Sequence, residues 1–128
     1  MTMIQFELPL PPQGVAANAR KHYWAKAKVV AEWRETARAI ALEVRNRTGW
    51  KAPKRARLSQ TWCTKGARGT GMYAPQDYDN AVAAFKAAQD GIVDALVLVG
   101  DRFHELSLAS VLQDKTRGPF IVVRIESL

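Results

Sequence analysis

Several residue types that mark specialised proteins are scarce in this chain of 128 residues. It contains one cysteine, Cys63, and two histidines. One cysteine excludes an intramolecular disulfide framework, and the scarcity of Cys and His argues against a zinc site. No stretch approaches the roughly 18 apolar residues of a membrane helix, and the N-terminal residues lack the pattern of a secretion signal. We therefore expect a soluble cytoplasmic protein that does not enter a membrane.

The residues that are present suffice for one domain, because 48% of them are hydrophobic. Strands are predicted in "MIQFELPL", "KRARLSQTWC", "HELSLASVLQ" and "PFIVVRIESL", where apolar and polar residues alternate. Helices are predicted over about residues 28–47 and from Asp79 or Asn80, as the capping residue, to about Leu96. We predict an α/β fold of the α+β type for residues 1–128. Two main helices would pack on a mixed sheet of four to five strands, in the order β-α-β-loop-α-β-β.

Charge is distributed unevenly along the chain, whose formal net charge is +7. Residues 20–68 contain 14 Lys or Arg and three Glu, whereas residues 69–128 contain five Lys or Arg and eight acids. A basic surface attracts phosphate backbones by releasing counterions, while an acidic cluster repels them unless a metal ion lies between. Solvation of an exposed helix face is the simpler alternative for the basic residues.

Carboxylates are concentrated between residues 77 and 101. Asp77 and Asp79 are predicted to end an extended segment, where residues two apart project from the same face. Asp90 follows on the next helix, and Asp101 comes just beyond that helix. Oxygen ligands without His or Cys suit Mg²⁺, with Mn²⁺ as an alternative, and predict metal-assisted phosphodiester hydrolysis. The competing interpretation is that Asp79 caps the helix, while Asp90 and Asp94 are solvated charges.

The same residues carry a family resemblance. "QDYDNAV", "KAAQDG" and "LVGD" together resemble the motifs of the RusA family of Holliday junction resolvases, which are often encoded by phages and prophages. The opening "FELPLPP" is also similar to the start of that family. Two departures are visible. Lys86 stands six residues after Asn80, whereas the best-known pattern has lysine at the position of Ala83, and Gly100 stands where an acid is common.

The resemblance implies a homodimeric endonuclease that binds four-way DNA junctions and makes paired nicks, in recombination and repair. Asp77, Asp79 and Asp101 would be the catalytic carboxylates that bind Mg²⁺, with Asp90 in a supporting role. Lys86 would assist as a cation. A twofold dimer suits a junction that is itself nearly twofold symmetric.

Further residues are predicted to contact DNA. "NARKHYWAKAK" mixes cations with aromatic residues, and "TKGARGTGMY" places cations in a glycine-rich loop that we expect to be flexible. The predicted DNA-binding residues are Arg20, Lys21, Lys26, Lys65, Arg68 and Asn80. An ordinary loop, and aromatic residues in the core or in a dimer interface, are the alternatives. Two other functions also stay open: a non-catalytic protein that binds branched DNA, and a nuclease of looser specificity for flaps and forks.

Overall fold

The computed structural model describes residues 2–16 and 23–128. Its elements are β1 (Met3–Leu8), a short 3₁₀ helix (Gln13–Val15), α1 (Tyr23–Thr48), β2 (Ala56–Cys63), α2 (Tyr78–Asp94), β3 (Leu106–Asp114) and β4 (Phe120–Ser127). The predicted α+β class and the order of the main elements are therefore confirmed. Within the described ranges, no helix combines the length and the apolar content needed to cross a membrane.

The four strands form one mixed sheet in the order β1-β4-β2-β3. β4 is antiparallel to both of its neighbours, whereas β2 and β3 are parallel. Parallel neighbours need a long crossover connection, which α2 supplies here. The residues of β2 alternate as predicted, and Leu58 and Trp62 face the core. Gln60 is also buried there, and its side-chain oxygen accepts a hydrogen bond from Trp62 Nε1 at 2.9 Å.

Both helices contribute to the core that covers one face of the sheet. Trp33 Nε1 of α1 donates to the Ala84 carbonyl of α2 at 3.1 Å, and Ala37 of α1 lies opposite Gly91. Trp33 precedes Ala37 in α1, and their partners, Ala84 and Gly91, follow the same order in α2. The two helices therefore run in the same general direction. A Cβ on Gly91 would collide with the Arg34 carbonyl oxygen and lie 2.9 Å from Arg38 N. Glycine is therefore required where the two helix backbones come closest.

The start of α2 corrects the predicted boundary. Asp77, rather than Asp79 or Asn80, is the N-cap, and its Oδ1 accepts from the backbone N of Asn80 at 2.9 Å. Asp77 alone keeps extended backbone angles, whereas Tyr78 and Asp79 already belong to the helix. The predicted side-by-side projection of Asp77 and Asp79 from a strand end is therefore wrong. The helix starts earlier because the Asp77 carboxylate satisfies an amide that would otherwise lack a partner.

The other helix limits differ by a few residues. α1 begins at Tyr23, five residues before the predicted start, and α2 ends at Asp94 rather than near Leu96. Leu96 has a positive φ of 61°, which is incompatible with continuing a right-handed helix.

Candidate functional site

One face of α2 carries the polar residues that the sequence singled out. At 3.6 residues per turn, Asp79, Ala83, Lys86 and Asp90 fall within about 60° of one another around the helix axis. Ala83, Lys86 and Asp90 line a depression of about 310 Å³ together with Lys26 of α1. Lys26 Nζ also donates to the Ala16 carbonyl at 2.9 Å. The predicted DNA contact Lys26 therefore lies beside the carboxylate-bearing face of α2.

Lys86 joins Asp90 to Asp101. Its Nζ donates to Asp90 Oδ1 at 2.7 Å and to Asp101 Oδ2 at 2.5 Å. Hydrogen bonds to Asp101 and then to Asp90 raise the pKa of Lys86. The bond from Lys86 likewise lowers the pKa of Asp101. Burial opposes both shifts, but the ion pairs outweigh it because all three side chains retain contact with water.

The loop after α2 brings Asp101 to this cluster. Val97 and Leu98 of this loop are buried, and Trp50 Nε1 donates to the Val97 carbonyl at 2.9 Å. These contacts fix the path of the chain a few residues before Asp101. A Cβ placed on Gly100 would lie 2.7 Å from the carboxylate oxygens of Glu105. Glu105 therefore places a carboxylate beside the position where the RusA-like pattern commonly has its extra acid.

The remaining predicted carboxylates lie at the start of α2. Both oxygens of Asp77 are engaged by Asn80, through its backbone N at 2.9 Å and its side-chain Nδ2 at 3.1 Å. From Asp79 to Asp90 the helix rises about 16 Å, too far for both to bind one ion. Over residues 2–16 and 23–128, no three Asp, Glu, His or Cys side chains are grouped in a way that could hold a metal. The structure thus divides the predicted metal ligands between two ends of α2.

The pair formed by Asp90 and Asp101 fits a divalent cation best. One oxygen of each carboxylate already converges on a single positive centre, the Lys86 ammonium. Mg²⁺ in proteins is commonly held by one or two carboxylates, with water and substrate phosphates completing its coordination. The absence of His and Cys from this pair favours Mg²⁺ or Mn²⁺ over softer metals.

Asp94, which the sequence left as a solvated charge, has a structural partner. Its two carboxylate oxygens accept from Arg34 Nε at 2.7 Å and from Arg34 Nη2 at 2.9 Å. The bond from Arg34 lowers the pKa of Asp94. This pair ties α2 to α1 and does not belong to the Lys86 cluster.

The glycine-rich loop, residues 64–76, is tied down by hydrogen bonds. Tyr73 N donates to the Pro11 carbonyl at 2.7 Å, and Gln13 N donates to the Gly71 carbonyl at 3.0 Å. The backbone of this loop, which the sequence predicts to be flexible, thus pairs with the segment after β1. Lys65 and Arg68 are both exposed on this loop.

Not all of the predicted DNA contacts can be placed. Arg20 and Lys21 lie outside the described residues, as does His22. Asn80 is committed to the Asp77 cap.

Three polar residues near these features were not singled out from the sequence. Gln89 Nε2 donates to Asp101 Oδ2 at 3.4 Å, and its spacing of three from Lys86 is a usable helical signal. Sequence spacing does not indicate the other two. Glu105 lies beside Gly100 because of the loop between α2 and β3, and Lys115 lines the same depression as Arg68 because of the sheet.

No family model matches the chain. A protein of Xylella fastidiosa, described as an uncharacterized protein, is 33% identical to it over 108 residues. That match covers 79% of this chain and 63% of the relative, so the chain spans less than two thirds of the relative's length. The relative's description states no activity, and a function for this chain has to be inferred from its own residues.

Proposed function

We propose that this protein is a Mg²⁺-dependent, structure-selective endodeoxyribonuclease that resolves four-way DNA junctions by paired nicks. The observation that carries the proposal is the convergence of Asp90 and Asp101 on one cationic centre in a chain of net charge +7. The resemblance to RusA-type resolvases at the same residues supports it. The setting would be recombination and repair in a bacterial cytoplasm, with the chain encoded by the host or by a prophage.

Each residue of the cluster has a proposed role. Asp101 and Asp90 would hold Mg²⁺, or Mn²⁺ in its place. Asp77 and Asp79 would hold a separate ion at the start of α2, since Asp79 and Asp90 lie too far apart along the helix to share one. The metal supplies polarisation of the phosphoryl oxygen and activation of water. Lys86 would leave the two carboxylates and neutralise the phosphate at which charge develops. Lys26, in the same depression, would position the DNA backbone.

Paired nicks require two active sites, and we propose a homodimer. The edge strand β3 supports this, because Leu108 and Leu112 are exposed on it and residues 106–113 contain no charged side chain. An uncharged edge strand of this length is a surface on which a second chain can pair. Twofold symmetry would then present two equivalent sites to the junction.

A synthetic four-way junction tests the proposal. Wild-type protein with Mg²⁺ should convert the junction to nicked duplexes, and Asp101→Asn should remove that product while leaving junction affinity within a few-fold. Asp94→Asn is the matched control, since it removes a carboxylate from the same helix outside the cluster. No product with either Mg²⁺ or Mn²⁺, or unchanged cutting by Asp101→Asn, would refute the mechanism.

A second function is favoured by one observation. Lys86 already pairs with both Asp90 and Asp101, and no third acid joins them among the residues that the structure describes. A protein that binds branched DNA without cutting it would show affinity that falls steeply with salt and no product with either metal. Cleavage of flaps and forks as fast as four-way junctions would instead identify a nuclease of looser specificity.

A further inference from the structure

A second polar depression, of about 420 Å³, lies between residues 64–76 and the end of β3. Arg68 and Lys115 line it, together with Gln13, Gln76 and Gln113. Its volume falls in the range of about 300–1,000 Å³ that is usual for small-molecule sites. None of the residues that line it is acidic. The roles assigned above to the α2 carboxylates leave this depression unused.

Hydrogen bonds within the protein preorganise the loop that forms one wall of the depression. Gln13 Nε2 donates to the Met72 carbonyl at 2.7 Å, in addition to the backbone bonds that hold the loop. Gly69 and Gly71 both have a φ of 78°, which lets the chain curve where other residues would be strained. Such a wall loses little conformational entropy when a ligand binds.

The lining offers two kinds of recognition. Arg68 and Lys115 are exposed cations that can contact phosphate. Gln76 and Gln113 are exposed amides, each with donors and an acceptor, and such side chains can pair with the edge of a base. This combination of cations and amides, without a carboxylate, matches a nucleotide better than a cationic or apolar ligand.

The depression also connects with the start of α2. Gln76 and Gln113 line an adjoining hollow, whose other walls include Asp77 and the exposed ring of Tyr78. A DNA strand that follows this surface would pass from the cations, across the two glutamines, to the N-terminal end of α2. An exposed tyrosine on that path can stack on an unpaired base.

We infer that the depression binds one nucleotide of the DNA strand and reads its base. Arg68 and Lys115 contact the phosphates, and the amides of Gln76 and Gln113 contact the base edge. The inference rests on the proposed function, since it assigns the sequence preference of that DNA-binding surface.

A binding experiment without divalent cations separates this inference from the nuclease proposal. The probes are fluorescent four-way junctions that differ only in the bases next to the branch point. Wild-type protein should bind the best base at least about fivefold more tightly than the worst, since one good bidentate contact discriminates by about 1–3 kcal/mol. The Gln76→Ala/Gln113→Ala double variant should reduce that ratio below about twofold at similar mean affinity.

Two further variants make the result specific. Arg68→Ala/Lys115→Ala should weaken binding to every sequence and lower the salt dependence by about two phosphate contacts, with the base ratio kept. Gln5→Ala, an exposed glutamine on β1, should change neither quantity. Equal affinity of wild-type protein for all bases, or a base ratio unchanged by the double glutamine variant, would overturn the inference. Absence of cleavage would not, because no step of the experiment requires it.

Discussion

The two ends of α2 use their carboxylates differently. At the N-terminal end, both oxygens of Asp77 satisfy groups of Asn80, so this acid stabilises the helix that it begins. Near the C-terminal end, Asp90 and Asp101 share one ammonium group and are eleven residues apart in sequence. Asp77 and Asp79 are neighbours in the sequence motif, but the carboxylates that converge on one group are those of Asp90 and Asp101. Under the proposed function, cleavage would depend on whether the two ends act together on DNA.

Asp79→Asn tests that dependence with the largest expected effect. Cleavage of a four-way junction should fall at least about a hundredfold, which corresponds to about 3 kcal/mol of transition-state stabilisation. Junction affinity should be retained because no cation is lost. Single-turnover cleavage and fluorescence anisotropy measure the two quantities. Full activity in this variant would restrict the metal site to Asp90 and Asp101.

Lys86→Met separates the ammonium group from the two carboxylates that it bridges. Mn²⁺ affinity of the DNA-free protein, measured by electron paramagnetic resonance, should rise because the metal no longer competes with Lys86. Cleavage should fall about 10- to 100-fold, because the phosphate loses its neutralising cation. The pKa of Asp101, followed by NMR, should rise toward its usual value. Lys51→Met, at an exposed lysine between α1 and β2, is the control. Unchanged Mn²⁺ affinity would contradict the competition.

Gly91→Ala tests how α1 holds the Asp90 end of α2 in place. The new methyl group would collide with the Arg34 carbonyl, so the helices must separate locally. We expect the free energy of unfolding to fall by about 1–3 kcal/mol, as for other overpacked sites. Urea denaturation measures it. Ala87→Gly, one turn earlier on the same helix, should cost only about 1 kcal/mol through helix propensity. A smaller loss for Gly91→Ala than for this control would show that the close approach is unimportant.

Asp114 gives the smallest expected effect and concerns the turn that carries Lys115. Hydrogen bonds from the Thr116 hydroxyl, the Thr116 backbone N and Arg117 lower its pKa from 3.8 to about 2. The folded form thus favours the charged carboxylate, and the resulting stability should be complete above about pH 4 and lost as pH falls through about 2. Asp114→Asn should lower the urea midpoint at pH 7, and the difference from wild type should shrink as pH falls toward 2. A difference independent of pH would contradict the assignment.

The strands were predictable where apolar residues alternate with polar ones, because alternate side chains of a strand face the core. Alternation of Ile4, Phe6 and Leu8 predicted β1, and the corresponding alternation predicted β2. The N-cap of α2 was not predictable, because Asp77, Asp79 and Asn80 all favour that position and only the folded chain selects one. The strand order β1-β4-β2-β3 depends on contacts between residues far apart in sequence, which alternation within a strand does not specify.

The candidate site was predictable only where its residues lie close together on one helix. Lys86 and Asp90 stand four residues apart in sequence, the spacing of neighbours on one helix face, and the helix provides their contact. Asp101 was predicted to lie just beyond α2. Its contact with Lys86 depends on the path of the loop that contains the buried residues Val97 and Leu98. The carboxylate of Glu105 beside Gly100 has no counterpart in any local spacing, because a turn brings the two together.

The ammonium of Lys86 gives the carboxylates of Asp90 and Asp101 an internal counterion in the free protein. The cluster is therefore tolerated without metal, and it repels an approaching phosphate less than two bare carboxylates would. A phosphate that draws Lys86 away leaves both carboxylates open to a divalent ion, and a bound ion releases Lys86 for the phosphate. DNA and metal would then bind with positive cooperativity, each raising the affinity of the other by the same factor. Under the proposed function, the protein would then hold little metal until DNA is bound.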